Sequence, residues 1–385
     1  AAACAACAAS IAVAEKPGYD QYFEIYGHHD IHRQMIQDRP RTQAYAEALA
    51  KEPSVVRGKT VLDFGCGTGI LSVFAARAGA ERVVCLEASP MAEVAEKVVA
   101  KNGFAGKIHV VRTTHDELQL PEKVDMIISE WMGFWMLTED MLVDLLYLRD
   151  RWLKPGGVVW PRFTRLFMQP YSSAEWWRDN VDYWTTSPYG VDMSPMTDYA
   201  FGDGDQWPVP LRGQWPPSGL AGSPHLISEW DLQSVRLTDS TKVVSQFRIP
   251  VPDRTVHGML YWFDVVFDHP EGDVTLSTHP SAGVQHWNQI FWPLRGAPLA
   301  DPDLVLSGSV RVEHEPPQWN FTISWKARPL RKKATTTSSG PVGAESFVAM
   351  DQWVETKALE ALMALDTGRA DGGSPAASHA AMAEL

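Results

Sequence analysis

The sequence predicts two units in series, an α/β Rossmann-like domain and then an antiparallel β-barrel. Three observations carry that expectation. Apolar strand-like runs alternate with helical spacing as far as Pro161, a glycine-rich turn follows the first of those runs, and beyond Pro161 the pattern changes to short alternating runs separated by turn residues. With 385 residues, 45% hydrophobic and 10% aromatic, the chain is long and apolar enough to bury cores for both.

Residues 20–50 carry aromatic and apolar positions at helical spacing (Tyr22, Phe23, Tyr26, Ile31, Met35), with Pro40 read as a break before a second helix. Strand and turn follow at 60–69, helix at 70–79, strand at 82–87, helix at 91–102, and strands at 108–112 and 124–129. A helix over 141–153 is expected to stop at Lys154-Pro155-Gly156-Gly157. In the second unit, 166–168, 243–247, 260–267 and 320–325 read as strands. Residues 176–223 form an aromatic, Pro- and Gly-rich excursion with Trp176, Trp177, Trp184, Trp207 and Trp215, expected to bury itself on a partner subunit, with a loop folded on its own barrel as the alternative. The expected boundaries are disordered tails at 1–18 and 365–385, domains at 19–161 and 162–364, and a mobile loop at 329–345.

Thr60-Val61-Leu62-Asp63-Phe64-Gly65-Cys66-Gly67-Thr68-Gly69 puts an acid at a strand end and three glycines in the turn that opens a helix. Glycine permits positive φ and close backbone approach to a ligand. The spacing is not the G-x-G-x-x-G of dinucleotide enzymes, so a ligand without phosphates fits better. Glu87 ends the next strand, where a carboxylate accepts from ribose hydroxyls, and His115-Asp116 follow the third strand, where an acid can meet an adenine amino group. A nucleoside site without phosphate points to S-adenosylmethionine.

Ile128-Ser129-Glu130-Trp131-Met132-Gly133-Phe134-Trp135-Met136-Leu137-Thr138-Glu139-Asp140 then places two glutamates at the ends of an aromatic loop leaving a sheet edge. Acids nine positions apart are usually two solvated surface charges; beside a cofactor motif, they ask for a cationic substrate.

The net charge of -13 argues against non-specific nucleic-acid or anionic-membrane binding. No run approaches the roughly 20 apolar residues of a membrane helix. Four cysteines, Cys4, Cys7, Cys66 and Cys85, have neither zinc-type spacing nor a disulfide pattern, so no metal site is expected and a reducing location, cytoplasmic or nuclear, is. The alanine-rich start lacks a basic n-region and reads as a tail rather than a signal peptide.

On these motifs the chain closely resembles the protein arginine methyltransferase family from about Tyr19 to Lys326, most specifically in Ser129-Glu130-Trp131-Met132-Gly133 followed by Glu139. The resemblance implies a Rossmann-like methyltransferase domain followed by a β-barrel with an inserted dimerisation arm. It implies that Tyr22, Tyr26, His32, Met35 and Arg41 lie in a segment folding over the cofactor, with Arg41 pairing the methionine carboxylate and Tyr22 and Tyr26 bordering the substrate. Gly65, Gly67, Gly69 and Asp63 would form the cofactor turn, Glu87 would hold the ribose, His115 and Asp116 the adenine. Met35 and Met141 would crowd the sulfonium. His286-Trp287 match the family's Thr-His-Trp loop, with Gln285 where the family has threonine; by analogy Trp287 would line the substrate and His286 would contact Asp38, as a proton path or as a structural link.

Glu130 and Glu139 would then clamp a guanidinium, which is planar, cationic and a poor nucleophile until polarised. The resemblance further implies Gly/Arg-rich segments or histone tails as substrates, monomethyl- and asymmetric dimethylarginine as products, and a homodimer. A catalytically weak regulatory partner of another arginine methyltransferase is the alternative, motivated by Gln285 and the Trp-rich excursion. A small-molecule methyltransferase shares the cofactor half but leaves the paired acids unexplained.

Overall fold

The computed structural model describes residues 19–51, 53–201, 210–294, 298–316, 318–329 and 342–349. Three helices lead, α1 (Tyr19–Ile25), α2 (His29–Gln37) and α3 (Arg39–Lys51). As expected, the chain breaks just before Pro40: α2 ends at Gln37 and α3 opens at Arg39. Pro40 sits in the first turn of α3, where a missing N–H costs little because the N–H groups of a first turn have no partner within the helix.

The first domain continues as β1 (Thr60–Phe64), α4 (Ile70–Arg77), β2 (Arg82–Leu86), α5 (Ala92–Lys101), β3 (Ile108–Val111), β4 (Val124–Ser129), α6 (Met141–Trp152) and β5 (Leu153–Trp160). All five strands run parallel in the order β3-β2-β1-β4-β5. The order reverses at β1 and β4, so the crevice beyond their carboxyl ends is where a ligand of such a sheet binds. Both the glycine turn after β1 and Glu130 after β4 open there. Residues 154–157, expected only to stop a helix, instead lie within β5. Val124 pairs with Leu153 and Met126 with Val158, so the Pro-Gly-Gly stretch is accommodated at a register shift.

The second domain is β6 (Phe163–Tyr171), α7 (Ala174–Asn180), β7 (Leu211–Gly213), β8 (His225–Asp231), α8 (Leu237–Ser240), β9 (Lys242–Pro250), β10 (Gly258–Phe267), β11 (Val274–Ser277), β12 (Gln289–Pro293), β13 (Leu304–Glu315), β14 (Gln318–Pro329) and β15 (Val342–Ala349). Its strands pair antiparallel in two sheets, one ordered β7-β12-β10-β6-β8 with β11 also on β10, the other β15-β14-β13-β9. The predicted barrel is thus seen, among the described residues, as two sheets rather than one hydrogen-bonded ring. The expected mobile loop falls largely on residues outside those described, and its last residues enter β15. The expected tails at 1–18 and 365–385 also lie outside them.

One buried apolar cluster runs from the parallel sheet through the double-glutamate loop into both antiparallel sheets. Trp135 is the joint: its ring lies 5.0 Å from that of Tyr261, 5.9 Å from Trp292 and 4.6 Å from Phe321. Arg149 of α6 donates to the carbonyls of Leu232 and Val235, and Arg162 reaches both Asp231 and Asp268, so polar ties flank the apolar joint.

The Trp-rich excursion departs from expectation. Trp176 and Trp215 pack on Phe291 of their own chain, and Trp177 is buried with Val181 and Phe201. What it leaves exposed are Tyr183, Tyr189, Val191 and Tyr199. Trp207 lies outside the described residues.

A second correction concerns the cysteines. Cys66 and Cys85 form a disulfide, Cα atoms 5.4 Å apart. Parallel pairing of β1 with β2 sets Asp63 against Cys85, and the Gly65 and Cys66 amides both donate to Leu86, which carries Cys66 back beside Cys85. No spacing rule reveals a pair made adjacent by a crossover, and the compartment inferred from an absence of disulfides loses that support.

Removing the joint should be costly. Trp135→Ala is expected to destabilise the protein by about 3–5 kcal/mol, read as a lowered denaturant midpoint; an unchanged midpoint would show that the two halves do not depend on this packing.

Candidate active site

The cofactor half is built by backbone. Gly65, Gly67 and Gly69 have φ of 68°, 52° and 78°, the left-handed region that side chains disfavour. A Cβ on Gly65 would come within 2.9 Å of Met141 Cε, and one on Gly67 within 3.0 Å of His32 Cε1. Glu87, buried at the end of β2, accepts from the Gly67 amide and the Ser89 amide, both at 2.8 Å. Each of its oxygens therefore keeps a lone pair for a hydroxyl donor. Asp63 is fully buried; burial pushes its carboxyl up to about 7 even though the Ser72 hydroxyl donates to it at 2.6 Å. Its Oδ1 has no hydrogen-bond partner among the described residues. Glycine walls, an orphan acceptor and a carboxylate with spare lone pairs fit a phosphate-free nucleoside with hydroxyl and amino donors.

His115 and Asp116 are held elsewhere in part. His115 Nε2 lies 3.4 Å from Asp144 Oδ1, with its ring edge-on to Tyr147 of α6. Asp116 is half-buried; burial, the largest single influence, would raise its carboxyl, but hydrogen bonds from Thr114 and from backbone amides, with His115 nearby, together outweigh this and lower it.

The substrate half is closed by α1, α2 and α3. Tyr22 and Tyr26 donate their hydroxyls to Glu139 Oε2 at 3.0 and 2.8 Å, and the Tyr22 hydroxyl lies 3.5 Å from Met141 Sδ. His32 sits 2.7 Å from the Tyr26 carbonyl, and burial lowers its pKa although that carbonyl opposes the shift. Arg41 donates from Nε at 2.9 Å and Nη2 at 2.6 Å to the same oxygen, Glu130 Oε2, and from Nη1 to the Met35 carbonyl at 3.1 Å. Among the described residues, the Met132 amide, at 3.3 Å, is the donor to Glu130 Oε1. Burial, the largest single influence, would lower the Arg41 pKa, but the charge and hydrogen bond of Glu130 together with the nearby Tyr45 and Asp38 outweigh it and raise it, so the guanidinium stays charged.

Glu139 behaves differently from Glu130. Burial raises its carboxyl to about 7 against the tyrosine hydrogen bonds, and the Glu130 charge pushes it the same way. Two like charges near one another, each with a separate set of donors, leave a place for one more cation between them. The loop that carries them is held in left-handed backbone at Trp135, Met136, Glu139 and Asp140. A side chain on Gly133 would collide with Thr138, so the tight return of the loop requires glycine there.

The barrel side adds His286 and Trp287. His286 presents its backbone N–H at 2.9 Å and Nδ1 at 2.7 Å to Asp38 Oδ2, and the Arg41 amide donates to Asp38 Oδ1 at 3.1 Å. Burial would raise the Asp38 carboxyl, but these donors hold it below the usual range. Trp287 is buried and donates from Nε1 to the Met132 carbonyl at 2.7 Å, which makes it a support of the loop. Gln285 donates to the Ser277 carbonyl and leaves its Oε1 buried without a partner among the described residues.

Sequence reasoning missed two contacts. Arg212 of β7 lies over the Phe134 ring at 4.1 Å, its pKa lowered by burial to about 10, and His314 of β13 meets Asp140. Neither carries a local signal, because each depends on a strand far along the chain arriving at the loop. The described residues hold no group of three or more His, Cys, Asp or Glu arranged to bind a metal.

Comparison with known proteins agrees with this geometry. Residues 163–328 match the arginine methyltransferase oligomerization subdomain and residues 61–157 a methyltransferase domain. The probable protein arginine N-methyltransferase 6 of Arabidopsis thaliana is 34% identical over 326 residues, 83% of this chain and 74% of the relative. Protein arginine N-methyltransferase 6 of Danio rerio is 36% identical over 297 residues, 76% and 84% of the two chains. Among solved structures, the Trypanosoma brucei PRMT1 enzyme-prozyme heterotetrameric complex with AdoHcy superposes with a TM-score of 0.74 at 26% identity, covering 84% of this chain and 99% of that one. Two glutamates on one aromatic loop, one of them gripping a guanidinium, a phosphate-free nucleoside cradle and relatives matched over most of their length lead to one assignment: the chain belongs to the protein arginine N-methyltransferases.

Proposed function

We propose that this enzyme methylates arginines in Gly/Arg-rich segments or histone tails, giving monomethyl- and asymmetric dimethylarginine, and that it works as a homodimer. The observation that carries the chemistry is that Glu130 already grips a guanidinium, that of Arg41, with Glu139 beside it. S-adenosylmethionine is the methyl donor of this family, and when bound it supplies an electrophilic methyl group on a sulfonium. Gly65, Gly67, Gly69, Asp63 and Glu87 would hold its nucleoside, and His32, Met35, Arg41 and Met141 the remainder.

Arg41 uses only Oε2 of Glu130, so Oε1 remains for a substrate guanidinium. Glu139 takes the other side of that cation, its Oε2 fixed by Tyr22 and Tyr26. Charge-assisted bonds from two sides draw positive charge onto the held nitrogens and leave the free terminal nitrogen its lone pair, already oriented. Glu139 must be ionised to bind, and its carboxylate, on the oxygen the two tyrosines leave open, then accepts the proton released as the product forms. Met141, between the glycine turn and Tyr22, lines the transfer point with a thioether that adapts to an incoming methyl. Met141 and Met35 support the asymmetric product. The exposed Tyr183, Tyr189, Val191 and Tyr199 support a self-association surface on the excursion.

A second reading, a weakly active regulatory partner, has the Gln285 substitution in its favour. Robust transfer by the isolated chain would remove it.

Mass spectrometry of a Gly/Arg-rich peptide after incubation with labelled cofactor should find monomethyl- and asymmetric dimethylarginine; symmetric product would overturn the product assignment, and no transfer across several peptides with cofactor bound would overturn the function. Glu130→Gln should lower turnover at least about 100-fold while calorimetry still detects cofactor binding, and near-normal turnover would end the clamp mechanism. Because the Glu139 carboxyl is raised to about 7 and must be charged to bind a cation, kcat/KM for peptide should fall as pH drops through that value. A flat profile there would remove Glu139 from the clamp. Sedimentation should give the mass of two chains, and a fully active monomer would contradict the dimer.

A further inference from the structure

The second glutamate sits on unfavourable backbone. Glu139 and Asp140, the two residues that lead into α6, have φ of 77° and 58°, and neither is glycine. Left-handed conformations at such residues cost about 1–2 kcal/mol each, so surrounding contacts must hold the turn. Tyr22 and Tyr26 hold the Glu139 carboxylate, but they come from α1 and its end and grip the side chain rather than the turn.

The turn itself is met from the barrel. His314 Nε2 lies 2.8 Å from Asp140 Oδ1, with side-chain exposures of 5% and 9%. The approach is at ion-pair distance but off the line of a well-directed hydrogen bond. His314 is rigidly mounted. It pairs in register with Trp319 across β13 and β14, its ring lies 4.6 Å from that fully buried indole at an interplanar angle of 34°, and its amide donates to the Thr241 carbonyl at 2.8 Å. After Trp287 on the Met132 carbonyl, Arg212 over the Phe134 ring, and Trp135 among Tyr261, Trp292 and Phe321, it is the last attachment of the second domain along the loop. It is the one adjacent to a proposed catalytic carboxylate.

We propose that His314 and Asp140 are positioning residues for the methyl transfer: the barrel, through His314, sets the backbone of Asp140 and thereby aims Glu139 at the substrate guanidinium. This rests on the clamp described above and makes the antiparallel domain part of the catalytic geometry rather than only a substrate platform. A carboxylate misplaced by a fraction of an ångström stabilises the transition state less than one in place, while the nucleoside cradle, carried by the turn after β1 and by Glu87 after β2, keeps its own supports.

The test is a double-mutant cycle of His314→Ala and Asp140→Ala, reading kcat, peptide KM, cofactor Kd and thermal midpoint. Each single variant should lose about tenfold or more in kcat with cofactor Kd unchanged, and the double variant should lose no more than the worse single one, since both break the same contact. His314→Gln, which keeps a donor, should recover part of the loss. Near-wild-type kcat in the single variants, or losses that multiply in the double variant, overturns the proposal. If His314→Ala does not fold, Asp140→Asn, nearly isosteric, answers the same question: full activity refutes, a selective fall in kcat supports. Wild-type protein in the same assay separates the two levels, because an inactive wild type defeats the clamp reading, whereas an active wild type with indifferent variants defeats only this one.

Discussion

The buried ion pair between Arg41 and Glu130 is the contact on which the site depends. It joins α3 to the end of β4 with both side chains 9% exposed, and Arg41 reaches back to the Met35 carbonyl of α2. Removing one partner of such a pair strands a charge in a poorly solvated place, a loss of about 3–5 kcal/mol. The N-terminal helices are thereby locked over the crevice. Asp38, three residues before Arg41, caps the same segment from below and takes His286 from the barrel, so one stretch of chain connects the leading helices to both domains.

The double-glutamate loop is arranged around a conflict. Two carboxylates close enough to sense each other cannot both be fully comfortable when ionised, and burial adds to the penalty. The fold divides the burden. Glu130 is neutralised by Arg41, whereas Glu139 has two neutral phenols as donors and an elevated carboxyl. A site balanced in this way gains from a cation that faces both acids, which is a physical basis for selecting arginine over an uncharged side chain.

Much of this was legible in the sequence. Periodicity placed β1, β2, β3 and β4 and the change to antiparallel strands, because buried strands need consecutive apolar residues and half-buried ones need alternation. The glycines of the cofactor turn and the position of Glu87 followed from what a close-approaching ligand demands of backbone. Pro40 and the Pro155-Gly156-Gly157 stretch marked helix boundaries, α3 opening at Arg39 and α6 ending at Trp152, but that 154–157 then run on inside a strand is set by a register shift against β4, which local breaker chemistry does not show. The tryptophans at 176, 177 and 215, expected to pack on a partner subunit, pack within their own chain, because composition cannot say whether an aromatic excursion covers its own barrel or another chain.

By itself, then, the sequence determined the order of elements, the glycine cradle and the two acids that face a cation, since these rest on local periodicity and on residue types required at fixed short spacings. Only the tertiary structure decided which partner each acid takes, that Cys66 meets Cys85, and that His314 reaches Asp140 from 174 positions away. Those pairings depend on strand register and domain packing, and the physical reason they stay hidden is that a contact between distant segments leaves no periodic or spacing signature in either one.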